Sequence, residues 1–436
     1  MSPLHKTLPF CTYFCKNIKC STLMSDNERN EDVIKRFEEM LKTDKNYFFD
    51  VEDFLDIIDE YISIANYVLA NRAIKMGLTQ YENNVDILLY KAELHSLSDN
   101  LPKAEEVISF IKSIDPNRIE IPLLEAELYS RKHMHGSAVK ALKKALTLSE
   151  DKAEVYELLT VEYLYLEDYN EALNASLKCL KYDPESATAL YNAVTCYDLL
   201  DEIEKAINFL ENYIEKYPFG EVAWSLLAKK YIEKQQYKKA IQALDYAIAI
   251  DDKFLGAYYD KAFAYTKLGD YTRALEFYKL TLEVTDPTAF TYYHIAKLYV
   301  RLNDFNNAAS YYLMAINEDP GHFKSWLKLI ELKLKTDDIN QAFELTNKAI
   351  EVINNQELFE ILAEIQLKRN QIDKAAEALE NSIKLGPLRL ATILKLADLY
   401  KQNNQIEKYR EILLDAKKQF PDSKELKNRM FGHSDS

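Results

Sequence analysis

Apolar residues recur along this chain at a helical spacing, and the spacing itself recurs at a fixed interval. Trp224, Leu227, Ala228 and Tyr231 stand at i, i+3, i+4 and i+7, one buried face of a helix. After a short polar break, Ala240, Leu244 and Ala247 trace a second face of the same kind. No competing stretch shows the two-residue alternation of a half-buried strand. The pattern predicts pairs of short helices joined head to tail, and therefore an all-α chain.

The interval is read most easily from one small residue. Ala70, Ala104, Ala138, Ala172, Ala206, Ala240, Ala274, Ala308 and Ala342 follow one another at 34-residue steps, and Ala375 comes after 33. A further 34 residues on, the place is taken by Tyr409. Numbering the repeat so that this alanine is position twenty, position four holds Phe54, Leu88, Tyr156, Leu190, Trp224, Tyr258, Tyr292, Trp326, Phe359 and Ile393. Position eight is small in Ala92, Ala126, Ala228, Ala262, Ala296, Ala363 and Ala397, which lets two helices approach closely. Position eleven is tyrosine in eight repeats, from Tyr61 to Tyr400. Position thirty-two is proline in Pro116, Pro184, Pro218, Pro320, Pro387 and Pro421, with Pro287 one residue late. Proline lacks the N–H a helix interior needs, so it separates consecutive hairpins. Gly136 and Gly269 fall near turns inside hairpins, and Gly220, Gly321 and Gly386 fall between them, where glycine tolerates positive φ.

This unit resembles the tetratricopeptide repeat (TPR), over about residues 51–423 and in eleven copies. The resemblance implies a right-handed α-solenoid, in which each hairpin buries its apolar face only by stacking on its neighbours. Departures are Pro122 at position four of the third repeat, expected in the first turn of its helix, Glu82 in place of the first proline, and Lys333 in place of a tyrosine. The 35- and 33-residue spacings around Asp286 and Pro287 predict a local change in stacking.

In such solenoids the concave lining comes mainly from positions two, five, six, nine, twelve and thirteen of each first helix. The early repeats place Glu52, Asp59, Asp86, Glu93, Glu120, Glu127, Glu154 and Glu157 there, an acidic wall. The middle repeats place Tyr191, Asn192, Tyr259, Asp260, Phe263, Phe290, Tyr293 and His294, with Lys229 and Lys297 beside them. The last repeats mix Lys324, Lys328, Lys395 and Lys401 with Glu331, Glu360, Glu364 and Asp398. The expected groove is acidic, then aromatic, then mixed. A bland account stands beside it, because a chain with 31 tyrosines and 70 acids will put some of each anywhere. A carboxylate clamp is not supported, because position five holds no lysine and position nine no asparagine in any repeat.

A net charge of −15 argues against nucleic acid and against an anionic membrane, and no apolar run is long enough to span a bilayer. Paired glycines of a phosphate cradle and nucleophile or zinc-protease motifs are lacking, so neither an enzyme nor a cofactor is expected. His133 and His135 are expected to be solvated turn residues, and Cys179 and Cys196 buried thiols of a cytoplasmic protein. Residues 1–24 read as a disordered extension or a mis-assigned start with Met24 as the true beginning; a weak secretory signal and a metal site of His5, Cys11, Cys15 and Cys20 are the alternatives. Residues 25–50 read as a capping helix, 51–423 as the solenoid, and 424–436 as a C-terminal cap with a frayed tail. The functional expectation is a scaffold that binds a peptide or helix of a partner protein, one with a basic segment suiting the acidic wall. The alternative is a complex-building subunit that uses its ends or convex face.

Overall fold

The computed structural model describes residues 26–43, 47–284 and 287–431. The expectations for residues 1–24, for Asp286 and for the tail Gly432–Ser436 lie outside them, apart from Pro287 itself. Among the described residues there are 24 helices in consecutive packed pairs and no strand. Helix α1 (Asp26–Lys42) precedes eleven hairpins, which run from α2 (Val51–Ser63) and α3 (Tyr67–Gln80) to α22 (Leu390–Gln402) and α23 (Ile406–Gln419). A short α24 (Lys424–Phe431) follows. Even-numbered helices from α2 to α22 are the first of their hairpins.

The recurrent alanine does what its spacing implies. Ala70, Ala104, Ala138, Ala172, Ala206, Ala240, Ala274, Ala308, Ala342 and Ala375 are all fully buried, at 0% exposure. A side chain of one carbon is what the close approach of packed helices leaves room for.

Each hairpin turn is built by one device. The residue at position fifteen takes a left-handed conformation, with φ between 56° and 82°: Ala65, Asp99, His133, Glu167, Asp201, Gln235, Gly269, Asn303, Asp337, Asn370 and Asn404. The next N–H then reaches back to the carbonyl at position eleven, as from Gln236 to Tyr231 (2.7 Å) and from Asp304 to Tyr299 (2.9 Å). That is the Schellman closure, which satisfies a carbonyl the helix end would leave bare. The same residue caps the second helix in several repeats: the Asp304 carboxylate accepts the Asn307 N–H at 3.1 Å, and Asp338 that of Gln341 at 3.2 Å.

Between hairpins the ring at position four fastens the chain. The Trp224 and Trp326 indoles donate to the Pro218 and Pro320 carbonyls, both at 2.9 Å, and the Tyr258 hydroxyl donates to the equivalent Asp252 carbonyl at 3.0 Å. Pro122 lies in the first turn of α6 (Glu120–Arg131), as its chemistry requires. Gly220, Gly321 and Gly386 do not use the freedom glycine has for positive φ: among the described glycines only Gly269, inside a hairpin, is left-handed. Gly386 is extended (φ −149°), and a Cβ there would force the Gln356 side-chain amide to shift.

The chain divides into two compact units, residues 1–226 and 227–436. In unit 1, Val33 and Phe37 of α1 pack with Phe49 of the segment before α2 and with Phe54 and Tyr61 of the first hairpin, and a second apolar cluster runs from Leu88 to Cys196. Cys179 and Cys196 are buried and free, and burial pushes their thiols up to about 12 and about 11. Unit 2 holds clusters around Tyr265 and Tyr278, around Tyr312 and Trp326, and around Ile393, Leu413 and Leu426 of α24.

Candidate partner-binding face

The expected aromatic residues of unit 2 come from two first helices, α14 (Leu255–Leu268) and α16 (Ala289–Arg301), backed by α15 (Tyr271–Val284) and α17 (Phe305–Glu318) and followed by α18 (Phe323–Lys335). Position five of consecutive repeats is Tyr259 and then Tyr293. The Tyr259 ring lies 5.9 Å from Phe290 between centroids, Phe290 lies 4.3 Å from His294, and His294 lies 5.4 Å from Tyr293. Tyr293 continues to His322 at 5.4 Å. The result is a ladder of rings, of which Phe290 is the most open at 53% exposure.

The ladder rests on a floor that sequence reasoning missed. Tyr278 and Tyr312, at position twenty-four of successive second helices, are buried. Tyr278 supports Tyr259 (6.0 Å) and stacks on His294 (5.5 Å), while Tyr312 supports Tyr293 (6.0 Å). The Tyr259 hydroxyl is hydrogen-bonded to that of Thr291. Tyr259 and Tyr293 are therefore half-buried and serve both the face and the core behind it. The 34-residue repetition of Tyr278 and Tyr312 was the available signal.

Charge on this face is mostly positive. The Lys297 ammonium sits 5.4 Å from the Tyr293 ring centre, and Lys267 sits 5.2 Å from that of Phe263. Partial burial holds Lys297 below the usual lysine range, reinforced by Arg301, Lys328, Lys324 and Lys267. Burial, then Lys297, Lys324 and His322, pull His294 down to about 4. At one edge Asp260 carries a buried Oδ2 with no hydrogen-bond partner; burial raises its carboxyl and the Lys229 ammonium opposes that.

Three further expected residues are not part of the ladder. Phe263 is 37% exposed and its ring pairs with Lys267. Tyr191, 40% exposed, and the half-buried Asn192 lie on α10 (Ala187–Leu199) of unit 1.

The acidic wall of unit 1 needs correction. Glu93 on α4 (Val85–Leu97) and Glu127 on α6 are buried, at 2% and 5% exposure. Glu127 accepts hydrogen bonds from the Ser96 hydroxyl (2.8 Å) and from Arg131 Nε (2.9 Å). Burial raises the Glu93 carboxyl well above its ordinary value, with Glu127 and Asp59 adding to the shift, and its Oε2 has no hydrogen-bond partner. Glu120 is engaged by Arg118 at 3.1 Å, and Arg118 also holds Asp86 at 2.5 Å. Glu154 and Glu157 are half-buried on α8 (Lys152–Tyr165).

His135, expected to be solvated, is also corrected. Its Nδ1 lies 2.9 Å from the fully buried Glu162 carboxylate, and its ring stacks on Tyr165 at 4.7 Å. Its neighbour His133 is exposed, at the left-handed turn position. Among the described residues no group of three His, Cys, Asp or Glu is arranged to hold a metal ion, and no helix is long and apolar enough to cross a membrane.

Tetratricopeptide-repeat family profiles match residues 163–230, 231–297, 291–322 and 391–423. The chain is a tetratricopeptide-repeat protein. Among solved structures it is similar to the C-terminal part of a TPR protein from Cytophaga hutchinsonii, at 16% identity over 62% of this chain and 96% of that one, with a TM-score of 0.41. A TPR protein from Parabacteroides merdae matches at 18% identity over 64% and 98%, with a TM-score of 0.38. YrrB, described as a TPR protein with an unusual peptide-binding site, matches at 16% identity over 43% and 96%, with a TM-score of 0.35. No curated protein matches the chain. The TPR family generally mediates contacts between proteins and is typically non-enzymatic.

Proposed function

We propose that this TPR protein is a non-enzymatic scaffold that seats a segment of a partner protein on the first-helix face of unit 2. The observation that carries the reading is the ring ladder from Tyr259 through Phe290 and His294 to Tyr293, supported from below and open above. Joined aromatic surface is favoured ground for binding, because rigid rings bury much area at little entropic cost. A soluble chain has small reason to keep such a strip unless something covers it. We place the protein in the cytoplasm, in keeping with its free buried thiols.

Phe290→Ala is the sharpest test, because that ring is the most exposed of the ladder and the fold depends on it least. Affinity purification from the native host with quantitative mass spectrometry should lose one or more partners in the variant while helical circular dichroism is unchanged. Tyr259→Ala with Tyr293→Ala should lose the same partners and also melt lower, since both rings rest on buried tyrosines. Retention of every partner by both variants would remove the ladder from the binding surface and favour the ends or the convex face.

A further inference from the structure

We propose that this face of unit 2 takes an acidic peptide segment, whose apolar side chains sit on the ring ladder and whose Asp and Glu carboxylates meet Lys297, Arg301 and Lys324. The proposal rests on the reading of the face as a peptide seat and names the chemistry of its occupant.

The charges argue for it directly. Lys267, Lys297, Arg301, Lys324 and Lys328 gather on α14, α16 and α18, in a chain whose net charge is −15. Only Lys328 among these five has a carboxylate ion-pair partner among the described residues, Glu331 at 2.6 Å. Lys297 and Lys267 lie instead against the rings of Tyr293 and Phe263, which hold a cation without neutralising it. Like charges brought together over low-dielectric rings repel one another in the free protein. An incoming carboxylate relieves that repulsion and forms charge-assisted hydrogen bonds. A basic segment would add to it.

The two acids at the border do not reverse the sign. Glu331 is already paired with Lys328, and Asp260 is buried beside Lys229 with an oxygen unsatisfied. A nucleic acid would meet the same cations, but it would need a longer basic track than these five side chains provide. The mixture of rings and separate cations suits a peptide that alternates apolar and acidic residues.

Fluorescence anisotropy with the full chain distinguishes the cases. The probes are two pools of short synthetic peptides with identical Leu and Phe positions, one interspersed with Asp and Glu, the other with Lys and Arg, and a single-stranded RNA of mixed sequence. The acidic pool should bind, and more weakly as salt rises. Lys297→Glu with Arg301→Glu should weaken it by roughly tenfold or more and shift preference toward the basic pool. Lys297→Gln with Arg301→Gln should give a smaller loss in the same direction, and circular dichroism should show both variants folded. Binding of the basic pool in preference, weakened by Phe290→Ala, would overturn the acidic assignment and leave the peptide seat standing. Binding of the acidic pool that ignores both Phe290→Ala and the lysine–arginine variants would overturn the seat itself. Failure of both pools, or preference for RNA, would overturn the proposal.

Discussion

Position nine of the first helix is treated in opposite ways by the two units. In unit 1 the second and third repeats put Glu93 and Glu127 there, at 2% and 5% exposure, with Ser96 and Arg131 closing over Glu127. In unit 2 the sixth and eighth repeats put Lys229 and Lys297 there; Lys229 is half-buried and Lys297 is open beside the Tyr293 ring. One repeat position is thus a buried polar junction in two repeats of unit 1 and an open charged edge in the eighth repeat. Its exposure is set by what the neighbouring repeat lays across it, and long aliphatic stems beside flat rings leave their charged tips in solvent.

The largest expected effect breaks this comparison if it fails. Glu127→Leu removes the acceptor of the Ser96 and Arg131 bonds and leaves the largely buried Arg131 without its carboxylate, a loss of about 3–5 kcal/mol for breaking a buried pair. Lys297→Gln, the loss of charge at the same position in unit 2, should move stability by no more than about 0.5 kcal/mol, as surface substitutions do. Urea midpoints measure both. Equal midpoints for the two variants would mean that the acids of unit 1 stand in solvent after all.

Next in size is a test where the units should agree. Ala138 in unit 1 and Ala240 in unit 2 share position twenty and are both fully buried. Leucine at either site overpacks a helix contact, and each should cost about 1–3 kcal/mol. Thermal melts of Ala138→Leu and Ala240→Leu that differ by more than the range itself would show that the shared framework is tuned unit by unit.

That contrast also marks what was legible in the sequence. The alanines, the position-four rings and the tyrosines at position eleven were readable because each is fixed within its own repeat and its nearest stacking contact. Glu93, Glu127 and His135 were misread because their surroundings come from other elements: Glu93 feels Glu127 and Asp59, and His135 meets Glu162 from the next hairpin. The floor under the ladder was overlooked for a related reason. Tyr278 and Tyr312 lie on second helices, whereas attention to a groove selects the first. The turn position escaped notice because Ala65, Glu167 and Gln235 carry no turn chemistry, and the left-handed conformation is imposed by the helices on either side.

A pH titration sharpens the picture of unit 1. The Glu93 carboxyl titrates in the folded protein well above its ordinary value, so the folded state holds that proton more tightly than the unfolded chain. The stability this contributes is fully present below the unfolded value and is lost as pH rises through the folded one. Glu93→Gln keeps the shape, removes the charge, and offers an N–H toward the neighbouring Glu127 and Asp59. Its melting temperature should exceed that of the parent at neutral pH, and the difference should vanish on acidification below the ordinary glutamate range. A gain that stays constant with pH would mean Glu93 is ionised at no cost.

The smallest effects are expected where every repeat is alike, in the left-handed turns. Ten of the eleven turn residues bear a side chain at φ near 60°, a conformation that costs an L-residue about 1 kcal/mol or more unless it is Asn or Asp. Glycine removes that strain but brings a more flexible unfolded chain, which takes back about half of the gain. Glu167→Gly in unit 1 and Gln235→Gly in unit 2 should therefore each stabilise by a few tenths, about 0.5 kcal/mol. Gly269 provides the reverse experiment in a clean form: a Cβ there would meet nothing within 4 Å, so Gly269→Ala is opposed by backbone strain alone. Its cost should be about 1 kcal/mol. If the two glycine variants proved less stable than the parent while Gly269→Ala also lost stability, side chains at this position would be making contacts that outweigh the strain, and the turns of the two units would no longer be interchangeable.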